Sequence, residues 1–430
     1  MTFQLVPEKI VFGGEALGHY EGRPVLVPRS VPGERLEVEP VRTAKGMIHA
    51  RIVRVLDPAP GRVKAACPYF GVCGGCQYQH LPYEHEVAWK LAILRETLRR
   101  VGGITWESDI PARTAFPWQY RNQAQLKVSA SSPSEVAMGF FEGESHHLVD
   151  IEACPVLSPC LNSTLEELRR RLSAPIAAEC HAIDMIADDR DRSVMLRFRG
   201  SVSKQAREAL AQVILGEMPA VQTVAFNEGS CADLFGEPVL MYAVGSFRYR
   251  VSPGSFFQAS RFLVPELVSA VIRAACETEN RTLALDLYSG AGLFTLPLAA
   301  YFDQVIAVEA HEGAAADLAA NLSAYRCGNA RPVRQPVFDF LRRFAGPQPD
   351  LAVLDPPRSG VGSPVLSLLA KLKTPRIIYV SCHPPTLARD LASLTRQGYR
   401  LETLEMFDFF PRTFHTESLA LLRLGCAPPL

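Results

Sequence analysis

Cys382 stands where a cysteine can act as a nucleophile. It closes the apolar run Ile377-Ile-Tyr-Val-Ser-Cys382, flanked by the turn signals Asp355-Pro-Pro-Arg358 and His383-Pro-Pro385. A thiol at the carboxyl end of a strand faces the crevice in which open α/β sheets bind ligands. Free cysteine is also among the most buried residue types, so position alone leaves a packing role open. A second constellation narrows the choice. Leu285-Asp-Leu-Tyr-Ser-Gly-Ala-Gly-Leu-Phe294 reads as a strand, a tight glycine loop and a helix start. Gly290 and Gly292 let the backbone approach a ligand at a helix N-terminus. Glu309 ends the next strand, 17 residues after Gly292, where a carboxylate can accept both hydroxyls of a ribose. Thr295 occupies the third glycine position of a dinucleotide loop, and there is no Walker lysine. S-adenosylmethionine therefore fits better than a dinucleotide or ATP.

A nucleophilic thiol beside a methyl donor suits one acceptor well. The C5 carbon of a pyrimidine is too weak a nucleophile to take a methyl group unaided. Thiolate addition at C6 makes C5 enolate-like, and a base must later remove the C5 proton so that the thiolate can leave. Glu417, in the polar loop Asp408-Phe-Phe-Pro-Arg-Thr-Phe-His-Thr-Glu-Ser418, is the candidate base. His415 is the rival, since imidazole is the commoner base at neutral pH. Asp355 is placed to hydrogen-bond the pyrimidine or the cofactor. Arg358 is placed to bind phosphate or to pair locally.

Eleven cysteines, an odd number, argue against a disulfide framework. Cys67, Cys73 and Cys76 form a Cys-x5-Cys-Gly-Gly-Cys run, and Cys154-Pro155 follows after 77 intervening residues. Four thiolates can hold zinc or an iron–sulfur cluster. Three close ligands and one distant, with glycines that turn backbone amides toward sulfur, favour the cluster over zinc. Cys160 is a rival fourth ligand.

These residues need elements to hold them. Residues 1–57 alternate at period two and suggest a small five-stranded β-barrel, with a linker at Asp57-Pro-Ala-Pro-Gly61. Residues 62–254 read as a central α+β unit holding the cysteines and a helix near Glu84 to Arg100. Residues 255–430 alternate strand, loop and helix. Strands are expected at 283–287, 304–309, 350–354 and 376–381, then near 401–407 and 418–424 without an intervening helix. Helices are expected near 294–301, 312–325, 364–372 and 386–397. The fold class is thus α/β, a Rossmann-like sheet buried on both faces, with an antiparallel edge. Formal net charge is zero, from 45 basic and 45 acidic residues, so global charge gives no argument for nucleic acid. No apolar stretch reaches the length of a membrane span, and Met1-Thr-Phe-Gln-Leu-Val-Pro lacks a secretory pattern. A monomeric cytoplasmic protein without membrane contact is expected.

In order and spacing, these motifs resemble the RNA 5-methyluridine methyltransferases over nearly the whole chain. The residues that carry the likeness are Cys67, Cys73, Cys76 and Cys154; Tyr120-Arg-Asn-Gln-Ala-Gln125; Ser255-Phe-Phe-Gln258; and Leu287-Tyr-Ser-Gly-Ala-Gly292. They continue with Asp355-Pro-Pro-Arg358, Ser381-Cys382 and the Phe410-to-Ser418 block. The resemblance implies a TRAM domain at the N-terminus and a class I S-adenosylmethionine-dependent methyltransferase domain at the C-terminus. It implies RNA as the partner, Cys382 as nucleophile and Glu417 as base. It also implies Gln258, Tyr288, Glu309 and Asp355 as cofactor or uracil contacts, and a [4Fe-4S] cluster on the four cysteines. Ser289 stands where the family often has cysteine, Leu293 where some members are polar, and Gln335 near the place of an expected acidic residue, with Asp339 a few positions on. Ribosomal RNA of the large subunit is the expected substrate. The T-loop of transfer RNA is the runner-up, and a non-catalytic RNA-binding protein the alternative of another class. A radical enzyme would need a Cys-x3-Cys-x2-Cys spacing that is absent. A flipped or single-stranded uracil is implied, since the thiol must reach the base.

Overall fold

The computed structural model describes residues 2–132, 135–228 and 231–425. Strands within residues 3–57 form one six-stranded sheet, not the expected five. The long strands Arg35–Ala44 and Met47–Asp57 pair antiparallel, and Met47–Asp57 also pairs in parallel with Arg23–Pro28. Alternate residues Val25, Val27, Leu36 and Val38 are fully buried in its own small core.

The central unit is built on a seven-stranded sheet. Its order is Leu148–Asp150, Glu135–Phe141, Gln123–Ser132, Cys180–Ala187, Val194–Gly200, Val221–Glu228, Cys231–Gly236. The helices Pro159–Arg171 and Lys204–Glu217 share one core with it, through Leu161, Leu165, Leu168, Leu210 and Ile214 against Leu126 and Leu196. Period-two alternation sends Gln125, Asp184 and Arg197 to the opposite face, in register across three adjacent strands.

The C-terminal sheet has eight strands. Its order is Ala330–Arg334, Gln304–Glu309, Leu283–Leu287, Leu351–Leu354, Arg376–Ser381, Glu417–Leu424, Tyr399–Phe407, Ala112–Arg113. The first five are parallel, and Glu417–Leu424 runs antiparallel to both neighbours. Every residue of Leu283–Leu287, Leu351–Leu354 and Arg376–Ser381 is buried. Their side chains alternate between two cores. Ala284, Val353, Ile378 and Val380 join helix Val264–Cys276 on one face, while Leu285, Leu354, Ile377 and Tyr379 join helices Ser363–Lys371 and Pro384–Arg396 on the other. This is the buried α/β sheet that continuous apolar strands require.

Three details depart from the expected layout. The helix expected at 294–301 is a single turn, Thr295–Leu298, with Pro297 inside it and turns on either side. The edge strand Ala330–Arg334 and helix Val337–Arg343 were not anticipated. Helix Tyr83–Gly102 and strand Ala112–Arg113, read as parts of the central unit, belong with the C-terminal sheet. Leu94 and Leu98 pack in its second core, and Ala112–Arg113 pairs with Met406 and Phe407. Among the described residues no helix is long and apolar enough to cross a membrane.

Candidate active site

Chain order in the sheet reverses between Leu283–Leu287 and Leu351–Leu354, which opens a crevice at the carboxyl ends of the strands. Four sequence-predicted residues stand there because each ends or follows a parallel strand: Tyr288, Glu309, Asp355 and Cys382. Glu417 reaches the same edge by the opposite route. Its strand is antiparallel, so its first residue lies beside the end of Arg376–Ser381, with Ser418 paired to Ser381. A cavity of about 1090 Å³ fills the crevice and is lined by all five, together with Gln258 and Gly290.

The glycine loop is built as a ligand cradle. Tyr288 has φ 65° and Gly290 φ 56°, so the chain turns sharply after the strand. Glu309 fixes that turn, since its Oε2 accepts from Gly290 N at 2.9 Å and its Oε1 from His311 N at 2.7 Å. A carboxylate has about four acceptor positions, so lone pairs remain for ribose hydroxyls. Gly292 does not line the cavity. Its φ is 93°, and a Cβ there would sit 2.8 Å from Leu318 Cδ1, so the glycine serves packing behind the loop. Gln335 is likewise outside the cavity lining, and its backbone N–H donates to the Glu309 carbonyl at 3.1 Å. Ser289, in the cysteine's place, lines the cavity with a buried Oγ that has no partner. Leu293 lines it too.

The reacting end is dominated by carboxylates in one another's field. Burial pushes Asp355 up to about 7, helped by Asp286, and Asp286 is pushed to about 7 in turn by its own burial. Gln258 Nε2 donates to Asp355 Oδ2 at 3.3 Å. Glu417 is 3% exposed and its Oε1 has no hydrogen-bond partner. Burial and then Asp355 hold its carboxyl well above the usual range, while Arg358 opposes them. Burial, Glu417 and Asp355 together push the Cys382 thiol up to about 12 against the pull of Arg358. His415 is the weaker base. Arg358 donates to its Nε2 at 3.3 Å, and burial with that guanidinium lowers it to about 3. His415 does not line the cavity, whereas Glu417 does.

The opposite wall comes from the central sheet, which the sequence motifs signalled only through Tyr120–Gln125. Gln125 Nε2 donates to Asp184 Oδ1 at 2.8 Å, and Arg197 and Arg199 each donate through Nε to Asp184 Oδ2 at 2.7 Å. With Arg121 these side chains put three guanidinium groups on the cavity wall. Arg121 belongs to the Tyr120–Gln125 motif, whereas for Arg197 and Arg199 the sequence offers only the alternation Arg197-Phe-Arg199.

The cysteine segment lies apart from this cavity. Cys67, Cys73, Cys76 and Cys154 are free thiols. Burial pushes Cys76 up to about 12, and Cys154, Cys73 and Cys67 add to the rise, so the four share one electrostatic neighbourhood. Gly75 N donates to Cys73 Sγ at 3.4 Å. Cys160 is raised by burial and by Asp191 and Asp188, not by the other thiols, which sets it outside that neighbourhood. The donor set suits a thiolate-ligated group. Among the described residues, however, no three His, Cys, Asp or Glu side chains stand in a metal-holding arrangement.

The family model described as tRNA (uracil-5-)-methyltransferase matches residues 83–424. The chain belongs to this family. A protein of Alkalilimnicola ehrlichii named 23S rRNA (uracil(1939)-C(5))-methyltransferase RlmD is 34% identical, with 98% of this chain and 96% of that protein covered. An "uncharacterized RNA methyltransferase" of Aquifex aeolicus is 32% identical over 98% of both chains. The fold matches that of the Pyrococcus abyssi tRNA (uracil-54, C5)-methyltransferase, solved with S-adenosyl-L-homocysteine. The TM-score is 0.76 at 23% identity, with 98% of this chain and 100% of that one covered. Like other members of the family, the protein is an RNA uracil-5 methyltransferase.

Proposed function

We propose that the protein methylates C5 of a uracil in 23S ribosomal RNA through a covalent adduct between Cys382 and C6. The observation that carries this reading is the convergence of Cys382, Glu417 and the Gly290–Glu309 cradle on one cavity. S-adenosylmethionine supplies an electrophilic methyl group on a cationic sulfur. The chain's own residues do the rest. Gly290 and Glu309 hold the nucleoside end, with Tyr288, Gln258 and Asp355 along the floor. Cys382 adds to C6 as its S–H proton passes to Asp355, and the C5–C6 electron pair then takes the methyl group as the methyl–sulfur bond breaks and leaves a neutral thioether. Glu417 afterwards accepts the C5 proton, the C5–C6 double bond re-forms and the S–C6 bond breaks. Arg358 opposes the carboxylates and favours the thiolate.

The ribosomal target rests on the names of relatives about 33% identical over nearly the whole chain. A transfer-RNA target is the second reading, favoured by the fold neighbour. Incubation with radiolabelled S-adenosylmethionine and unmodified transcripts of each RNA decides between them. Label should enter one uridine of the ribosomal transcript as 5-methyluridine, and label confined to transfer RNA would overturn the ribosomal assignment.

We further propose that the N-terminal sheet of residues 1–57 is a TRAM-like RNA clamp, that the arginine-bearing wall of the central sheet faces the RNA backbone, and that the enzyme acts as a cytoplasmic monomer. With 8 basic and 7 acidic residues in positions 1–60, the clamp needs stacking or shape alongside charge. Removing residues 1–57 should therefore weaken RNA binding in a filter assay; unchanged affinity would refute the clamp. The thiols of Cys67, Cys73, Cys76 and Cys154, gathered in one neighbourhood, are proposed to hold a [4Fe-4S] cluster that serves structure or RNA binding, apart from the methyl-transfer steps. Protein purified without oxygen should carry about four iron and four sulfide per chain. Zinc in their place, or iron retained after Cys154→Ser, would refute this assignment.

A further inference from the structure

Lys90 is 1% exposed, in the middle of helix Tyr83–Gly102. Its Nζ donates to Glu86 Oε1 at 2.7 Å, to Asp408 Oδ1 at 2.8 Å and to the Phe410 carbonyl at 3.1 Å. An ammonium so deep in the protein is costly unless its acceptors surround it. Two of the three belong to the 408–416 loop, which joins strand Tyr399–Phe407 to the strand that begins at Glu417. The same helix region grips the loop further along. Tyr83 Oη donates to Asp408 Oδ2 at 2.8 Å, and Glu86 Oε1 accepts from Arg412 N at 2.7 Å. Arg412 has φ 70°, a backbone conformation that a non-glycine residue keeps only when its surroundings impose it. Phe410, whose carbonyl Lys90 holds, lines the cavity.

We propose that Lys90 is a positioning residue for methyl transfer, its buried ammonium holding the 408–416 loop so that Phe410 walls the cavity and Glu417 stays beside Cys382. The inference rests on the reading of Cys382 and Glu417 given above. The helix is more than 300 positions from the loop in sequence. Tyr120 Oη, Gln77 N and Tyr78 N hold the loop further on, at the carbonyls of Pro411 and Arg412, while Lys90 holds its beginning at Asp408 and Phe410. The charge itself is specific to the task. A salt bridge cluster of this burial is seldom a net stabiliser compared with apolar residues of the same shape, and a role in fixing one arrangement explains its presence.

Lys90→Met alone leaves Asp408 as a buried carboxyl without a cation, while Glu86 keeps Arg412, and is expected to fold poorly. The double variant Lys90→Met, Asp408→Asn removes one charge of each sign, keeps the shapes and leaves Glu86 paired with Arg412. It should retain a parental melting temperature to within a few degrees. It should bind S-adenosylmethionine with unchanged affinity and lose about ten- to a hundredfold in kcat with little change in KM for RNA. A displaced base also slows release of Cys382, so the variant should accumulate denaturation-resistant protein–RNA adduct. Independently of activity, amides of residues 408–416 should exchange with deuterium at least about tenfold faster, while those of Arg376–Ser381 keep their rates. Parental kcat and parental exchange in the loop would overturn the proposal. If the parent protein itself forms no methylated uracil, the assigned reaction fails, and the exchange measurement still decides whether Lys90 holds the loop.

Discussion

Cys382→Ala should lower methyl transfer by about four orders of magnitude or more, the range found when a covalent nucleophile is removed from a working site. That factor corresponds to about 5.5 kcal/mol of lost transition-state stabilisation. The size follows from the acceptor, since without a bond at C6 the C5 carbon has no enolate character and the cofactor cradle alone cannot supply it. The variant should still bind cofactor, because Cys382 lies at the end of Arg376–Ser381 while the cradle is built by Gly290 and Glu309. Glu417→Gln should behave differently. The amide keeps the shape and the field becomes less negative, so Cys382 adds and methyl transfer proceeds, but nothing accepts the C5 proton. The methylated adduct should therefore accumulate and migrate as a protein–RNA species that survives denaturation. Both variants are read on one gel with labelled RNA. An adduct in Cys382→Ala, or undiminished methyl transfer, would rule the mechanism out, and rapid turnover by Glu417→Gln would return the base to His415.

The parts of this site legible in the sequence are those that a strand end carries. Tyr288, Glu309, Asp355 and Cys382 each follow an apolar run, and a parallel sheet puts all such ends at one edge. Glu417 was legible as a carboxylate in the polar loop before the last strand, and the antiparallel run of that strand is what brings it to the same edge. Gln335 and Gly292 show where spacing misleads. Both have family-like positions, yet one meets Glu309 only through its backbone and the other faces Leu318. The edge strand Ala330–Arg334 escaped notice because an edge needs only one partner and tolerates Arg331, Pro332 and Arg334. Lys90 lies within the helix expected near Glu84 to Arg100, and nothing in the sequence marks it. Its partners lie at Asp408 and Phe410, and only tertiary structure reveals that the charge points inward. The arginine wall belongs to the same class, since strand alternation marks Arg197 and Arg199 as sharing a face but not what that face meets.

The pH behaviour of Cys382 should set it apart from every ordinary thiol. With its pKa pushed up to about 12 by burial, Glu417 and Asp355, the resting enzyme holds a neutral thiol at pH 8. The thiolate fraction is then about a thousandfold below that of a thiol with the usual value near 9. Alkylation of Cys382 by iodoacetamide, followed residue by residue in a mass spectrometer, should climb about tenfold per pH unit to at least pH 10. A model thiol levels off sooner, so the shape of the profile separates a raised pKa from mere inaccessibility. The sign of each neighbour is fixed by its charge. Glu417→Gln removes a group that disfavours the thiolate and should speed alkylation at a given pH, though burial, the largest cause, remains. Arg358→Gln removes the opposing cation and should slow it. A profile that levels off near pH 9, or a Glu417→Gln variant that alkylates more slowly than the parent, would contradict this electrostatic account. The account also carries a consequence for turnover. A thiol this weakly acidic attacks only as its proton is taken up. Glu417 must stay unprotonated to accept the C5 proton later, which leaves Asp355, the other carboxyl in the field of Cys382, to take it. On this reading a carboxylate that suppresses the thiolate in the empty site, Asp355, receives its proton when a uracil arrives, and Glu417 stays free for C5.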